Sequence, residues 1–312
     1  MFNGEIKDEF NSLIELTDYL RDEMDCIMYL SKKRWGDNTV CPHCGCEKVY
    51  SFSDGIRYKC SHCRKQFTVK VGTIFEGSKV SLRKWFIAIY LITSHKKGIS
   101  SYQLAKDIDV TQKTAWFMLH RIRYALSQAD LDIELENDVE IDETYVGGKN
   151  KNRHWNKKVK HSQGRSTEDK TPVFGMIERN GKVIAMVVPD VKGKTLKDII
   201  RRMVKDTARI ISDEYIGYSG LEKIFRQHVY VQHGAGQYVI GDIYTNTIEG
   251  FWSIAKRAII GIYHCLSPKH LQRYFDEFTF RYNTRKMKEG ERVNKMLSLC
   301  YVRMTYQNLV YG

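Results

Sequence analysis

The chain has 312 residues, 42% hydrophobic and 28% charged, the composition of an ordinary folded protein with room for two or three domains. Its net charge of +13 is uneven: residues 1–30 hold eight acids against Lys7 and Arg21, so the remainder carries +19. An acidic head on a basic body suggests a polyanionic partner, most simply nucleic acid. The opening MFNGEIKDEF lacks the basic and apolar regions of a signal peptide, and the longest apolar run, Trp85 to Ile92, is too short to span a bilayer.

Residues 1–35 read as an acidic helical segment and residues 36–78 as a metal-stapled ribbon. Cys41-Pro42-His43-Cys44 and Cys60-Ser61-His62-Cys63 are two CxxC knuckles separated by 15 residues. Four thiolates at that spacing complete the tetrahedral shell of a structural Zn²⁺, each pair gripping from one tight turn. Cys46 offers Cys44-x-Cys46 as an alternative pair; His43 and His62 are expected to be exposed. Short strand patterns surround the knuckles at Val49–Phe52, Ile56–Lys59 and Gln66–Val69; Arg57, Lys59, Arg64 and Lys65 could meet phosphates, the alternative being a purely structural or protein-binding ribbon.

Residues 79–128 read as helical and DNA-binding. Leu82 to Lys97 forms an amphipathic helix with Trp85, Ile89 and Ile92 on one face, ended by Gly98. Ser100 caps a short helix, Asp109-Val110 turns, and Thr111 caps Gln112 to Tyr124. This reads as a helix-turn-helix whose second helix would offer Gln112, Lys113 and Thr114 to the major groove, a plainly packed helical hairpin being the alternative. Trp116, Phe117 and Leu119 read as core.

The stretch 129–312 opens on alternating acids from Asp130 to Glu140, expected as a linker into a strand. Asp142 sits in the alternating run Val139 to Tyr145, a half-buried strand. Lys149 to Thr171 is basic and poor in apolar residues, a surface loop able to follow a phosphate backbone. Pro172–Ile177 and Val183–Val188 flank Asn180-Gly181 and read as a hairpin; Thr195 to Lys205 reads as a helix. Asp213 ends the short apolar strand from Arg209, and 35 residues later Glu249 stands in a helix start. Carboxylates on two strand ends and one helix can converge at a sheet edge and hold two Mg²⁺ for in-line attack on a phosphodiester. Asp242 and Asn246 rival Glu249. Asn246 is the expected cap, with Glu249 completing a capping box, a duty that competes with metal binding. Lys256 shares a helix face with Glu249 and could bind a phosphate, as could Arg257; Trp252 reads as packing under the site, with stacking on a flipped base as the alternative. Ser267-Pro268 opens a helix from Lys269 to Asn283 whose buried stripe is Leu271, Tyr274, Phe275 and Phe278.

The stretches RYKCSHCRKQFTVKVGTIFEGSKVSLRKW, EIDETYVGGK, TPVFGMIERNGKV and NTIEGFWSIAKRAIIGIYHCLSPKHLQRYFDEFTFRYNTR run in order from about Cys41 to Arg285. In them the chain resembles the ISXO-like insertion-sequence transposases, which join a zinc ribbon to a ribonuclease-H-like catalytic domain. The resemblance implies a multidomain α+β chain. Its parts would be an N-terminal zinc ribbon, a helix-turn-helix segment and a ribonuclease-H-like α/β domain over residues 129–312 with a D…D…E site. It selects Asp142 over Glu143 and Asp213 over Glu214, neighbours that alternation sends to opposite faces. It implies catalytic Mg²⁺ or Mn²⁺ on Asp142, Asp213 and Glu249 beside the structural Zn²⁺ of Cys41, Cys44, Cys60 and Cys63. Lys256 joins the catalytic set, and Gln112, Lys113, Thr114 and Arg257 the DNA-binding one. The expected partners are double-stranded DNA, at element terminal repeats and target, and further copies of the chain in a synaptic complex. The expected location is cytoplasmic, on the nucleoid when bound to DNA. Two other readings remain: a metal-dependent nuclease or resolvase without strand transfer, and a non-catalytic zinc-ribbon DNA-binding regulator. Tyr244 departs from the family, in which a His is expected shortly before the Glu.

Overall fold

The structure, a computed structural model, describes residues 6–7, 10–129, 133–147, 154–158 and 170–311. The chain divides into two units, Met1–Ala129 with Lys286–Gly312, and Asp130–Arg285.

The first unit opens with α1 (Leu13–Tyr19) and α2 (Glu23–Trp35), capped by the side chains of Ser12 and Asp22. A small antiparallel sheet follows, in the order β1 (Val49–Ser51), β2 (Arg57–Cys60), β3 (Gln66–Thr68). Its core is only Cys41, Cys60 and Phe67, with Trp35 and Tyr58 against them. So little apolar area cannot hold a fold without a staple. The next helix, α3, spans Leu82–Ser94 and stops short of the expected Lys97. Ser94 Oγ donates to the Tyr90 carbonyl at 2.6 Å, and His95 Nδ1 lies 2.6 Å from the Leu91 carbonyl, so side chains satisfy the last turn there. Ser100 and Thr111 cap α4 (Ser101–Asp107) and α5 (Gln112–Leu126) as expected, and Asp109 takes φ +49° in the turn between them. Leu119 is buried, whereas Trp116 and Phe117 are only half-buried.

The second unit is a five-stranded sheet. It comprises β4 (Asp138–Val146), β5 (Thr171–Glu178), β6 (Val183–Val187), β7 (Arg209–Ser212) and β8 (Gln227–Tyr230), in the order β6-β5-β4-β7-β8. The first three strands are antiparallel; β7 runs parallel to β4, and β8 parallel to β7. This is the ribonuclease-H-like arrangement. The hairpin bends at Asn180, φ +62°. β8, to which the sequence analysis assigned no element, completes the edge beside β7. One face packs α6 (Gly193–Met203) through Leu196, Ile199 and Ile200 onto Val139, Ile141 and Phe174. The other packs α7 (Asn246–Ala258) and α8 (Leu271–Asn283) through Ile248, Phe251, Trp252 and Phe275. All four residues of the expected α8 stripe are buried. Since Val139 and Ile141 serve the α6 face, Glu140 and Asp142 serve the α7 face.

The tail groups with the first unit. The second compact unit ends at Arg285, whereas the expected segment ran over 129–312, and Lys286 onward lies in the first. The reason is the apolar face of α9 (Glu289–Ser298), which buries Val293, Met296 and Leu297, while Tyr90 of α3 donates to Glu289 at 2.7 Å. A short α10 (Tyr306–Val310) closes the chain. The acids Asp130 and Asp132 and most of the expected basic loop lie outside the described residues. Among the described residues no helix is long and apolar enough to cross a membrane.

Candidate active site and metal centre

The four knuckle cysteines meet. Their Sγ atoms all lie within 4.8 Å of one another, with Cys41–Cys63 at 3.7 Å and Cys44–Cys60 at 3.6 Å. A tetrahedron with Zn–S bonds of ~2.3 Å has an edge of about 3.8 Å, so the donor set has the size of a structural zinc shell. The amides of His62 and Cys63 point at Cys60 Sγ, 3.3 and 3.4 Å away, as knuckle amides do when they support a thiolate. Cys46 turns instead to the Lys48 carbonyl and Ser61, at 3.8 Å each, which removes it as a rival ligand.

Strand register places two of the candidate acids of the second unit. Glu140–Ile211 is the last pair of the parallel β4–β7 ladder, and Asp142 and Asp213 each lie two residues beyond it. Neighbouring strands lie ~4.8 Å apart and the two positions share a face. Burial pushes the Asp142 carboxyl up to about 7, and the charges of Glu143, Asp213 and Glu249 add to the rise. Each of the three acids has one oxygen fixed by the protein. Trp252 Nε1 donates to Asp142 Oδ2 at 3.0 Å, the Tyr215 amide to Asp213 Oδ1 at 2.9 Å, and Thr245 Oγ1 to Glu249 Oε1 at 3.0 Å. The cluster is more open than the cysteine shell: among the described residues only the cysteines bring three or more ligand atoms within 4.8 Å of one another. Carboxylate oxygens around a buried acid whose proton affinity is raised are the donor type that suits a hard divalent cation such as Mg²⁺ or Mn²⁺.

The rival acids are occupied. Tyr218 OH donates to Glu143 on the α6 face. Glu214 accepts the amides of His233 and Gly234 at 2.9 Å each, which, with its own backbone amide, lower its proton affinity. Arg209 binds Asp242 at 2.7 Å and holds that carboxyl below its usual range. Beside Asp213 lies an open depression of about 600 Å³ lined by Tyr215, Ile216, His228 and Tyr230 among others.

The expected capping box is not formed. Thr245, not Asn246, is the cap residue of α7, so the helix starts one residue early and Glu249 moves from its third position to its fourth. The cap comes from another strand. Glu140, 0% exposed, accepts from the Thr247 amide at 2.9 Å, the Thr247 hydroxyl at 2.8 Å and the Ile248 amide at 3.0 Å. Arg179 Nε pairs with it at 2.8 Å. Arg179 also donates to the carbonyls of Asp242 and Tyr244, at 2.7 and 2.9 Å, and its guanidinium lies 3.7 Å from the Tyr244 ring centroid. The unexpected Tyr244 thus stacks on the arginine that neutralises the cap. Sequence reasoning missed Glu140 and Arg179; the usable signal was that Glu140 shares a strand face with Asp142. For Trp252 it offered packing or base stacking, not a hydrogen bond to Asp142.

Lys256 and Arg257 are both exposed on α7. On α5, Lys113 is exposed; Gln112 is half-buried and donates to Ser101 Oγ at 2.8 Å, and Thr114 bonds Thr111 at the cap. His264 is exposed at φ +60°, His270 is half-buried, and His233 Nε2 lies 3.4 Å from Thr245 Oγ1.

Residues 134–283 match the ISXO2-like transposase domain family, and residues 21–66 match the transposase zinc-ribbon domain family. A protein in transposable element ISH50 of Halobacterium salinarum is 33% identical over 266 residues, covering 81% of this chain and 88% of its own length. A transposase-like protein of Haemophilus influenzae is 29% identical over 116 residues, covering 37% of this chain and 93% of its own. Among solved structures, a pre-cleavage Mos1 transpososome aligns over 64% of this chain and 74% of its own, at 14% identity and a TM-score of 0.29.

Proposed function

We propose, for a chain that belongs to the ISXO2-like insertion-sequence transposases, that Asp142, Asp213 and Glu249 hold two divalent ions, Mg²⁺ or Mn²⁺, for cutting element ends and joining them to target DNA. The observation that supports this reading is the buried Asp142 carboxyl, whose proton affinity burial raises and the charges of Glu143, Asp213 and Glu249 raise further. When bound, the ions supply charge neutralisation at the attacking and leaving oxygens of an in-line displacement. The chain's own residues set the geometry. Trp252, Tyr215 and Thr245 each fix one oxygen of an acid, which costs less reorganisation than orienting free carboxylates during the reaction. Lys256, exposed beyond Glu249 on α7, binds a phosphate next to the scissile one, and Arg257 extends that contact.

DNA recognition falls to the first unit. Lys113, with Gln112 and Thr114 behind it, faces the major groove, and the ribbon lysines and arginines meet phosphates. Pairing of two element ends requires more than one copy of the chain. The test is incubation of the protein with Mg²⁺, DNA carrying its own element's ends, and a target plasmid. Covalently joined product supports the proposal. Cleavage without joining would make the protein a nuclease or resolvase, and binding without cleavage a regulator.

A further inference from the structure

We propose that Glu140 is a positioning residue for Glu249: by capping α7 from β4, it relieves Glu249 of capping duty and holds it beside Asp142 for metal. The inference rests on the metal-site reading of the three acids and deepens it.

A helix beginning near Asn246 has first-turn amides that need acceptors. The nearest acceptors in sequence are Asn246 and Glu249 themselves, through a capping box. A Glu249 carboxylate folded back onto the backbone would be withdrawn from the site. Glu140 prevents this by taking the amides of Thr247 and Ile248, the second and third helical residues, and the Thr247 hydroxyl. Those are the amides a local cap side chain would take. Glu249 then stands one position past the box and accepts only the Thr245 hydroxyl among the hydrogen bonds described.

A buried carboxylate is costly unless neutralised. Arg179 supplies the counter-charge at 2.8 Å, so the cap adds little repulsion to the acids two residues away. The positive end of the helix dipole adds to the attraction. The two contacts between β4 and α7 also agree in pitch. Glu140 meets residues 247 and 248 and Asp142 meets Trp252. Two strand residues advance ~6.7 Å, and the four to five helix residues between the contacts advance ~6–7.5 Å. The helix therefore runs along the strand in the same sense, and the spacing between Asp142 and Glu249 is set by two fixed points.

The experiment uses the full-length protein and Mn²⁺, with binding read from the loss of the free-ion electron paramagnetic resonance signal. Wild type, Glu140→Gln, Thr247→Val and Asp142→Asn are compared, with thermal melts as a folding control. Glu140→Gln should weaken Mn²⁺ binding about tenfold, and Thr247→Val should weaken it less in the same direction. In strand cleavage, Glu140→Gln should show a raised Mn²⁺ half-saturation, with much of the maximal rate recovered at high Mn²⁺. A general structural defect would lower the maximal rate without moving the half-saturation. If Asp142→Asn loses Mn²⁺ binding while both cap variants keep wild-type affinity, the positioning role is wrong and the metal site stands. If Asp142→Asn binds Mn²⁺ as wild type does, the metal-site reading is overturned and this inference with it. Should Glu140→Gln not fold, Thr247→Val alone decides: unchanged affinity overturns the proposal.

Discussion

The indole of Trp252 fills the space that a side chain on Gly175 would need: a Cβ there would lie 2.4 Å from Cζ2 of Trp252. Gly175 is the register partner of Asp142 across β4 and β5, and the same indole donates to Asp142. The missing side chain on one strand therefore lets a tryptophan from α7 reach the acid on the next. Gly175→Ala should push the indole away, lower stability by ~1–3 kcal/mol through overpacking, and reduce cleavage far more than the stability loss accounts for. A denaturation curve beside a cleavage assay checks this; an active, destabilised variant would mean the Trp252–Asp142 bond is dispensable.

The three acids should be individually indispensable. Asp142→Asn, Asp213→Asn and Glu249→Gln keep shape and remove charge, so folding and end binding should survive while cleavage falls by ~10³-fold or more. Lys256→Ala should be milder. Asp242→Asn should stay active, because Asp242 already serves Arg209. An inactive Asp242→Asn beside an active Glu249→Gln would reverse the assignment.

Asp142 gives a pH signature. Burial, with the neighbouring acids, pushes its carboxyl up to about 7 in the folded chain from an ordinary 3.8, so between those values the native state holds a proton that the unfolded state has released. Stability of the metal-free protein should therefore fall as pH rises from about 4 through 7, by up to ~4 kcal/mol. Asp142→Asn should flatten that slope. Mg²⁺ or Mn²⁺ should restore wild-type stability above pH 7 but not that of the variant. Melting temperatures between pH 5 and 8.5, with and without metal, test all three statements.

The ribbon should carry about one Zn²⁺ per chain. Cys41→Ser or Cys60→Ser should lose it and expose the small sheet to protease, since Phe67 and its few neighbours cannot hold the module alone. Elemental analysis finding no zinc in freshly prepared, reduced protein would falsify this.

On DNA, affinity for any duplex should fall steeply with salt, given the +19 of the chain beyond residue 30. Lys113→Ala should reduce the preference for element ends more than general affinity. Gln112→Ala should act partly through stability, because it breaks the bond to Ser101. Competition binding with random duplex separates the two; equal loss on both DNAs would remove α5 as a recognition helix.

The sequence by itself determined what is local. Two CxxC turns define a zinc shell because ligands two residues apart grip within one turn, and Ser100 and Thr111 announced their helices because caps act over three residues. The strand alternation that places Asp142 opposite Glu143 is likewise a property of neighbouring backbone. What only the tertiary structure decided depends on contacts between distant segments. Glu140 reaches 107 residues along the chain to cap α7, which moved the helix start and freed Glu249 from the box that Asn246 seemed to demand. Arg209 removed Asp242 from contention, and Gly175 made room for Trp252 to reach Asp142. The tail after Arg285 joined the first unit because the apolar face of α9 is buried there. Periodicity shows that a helix has such a face, but only the fold decides which surface covers it.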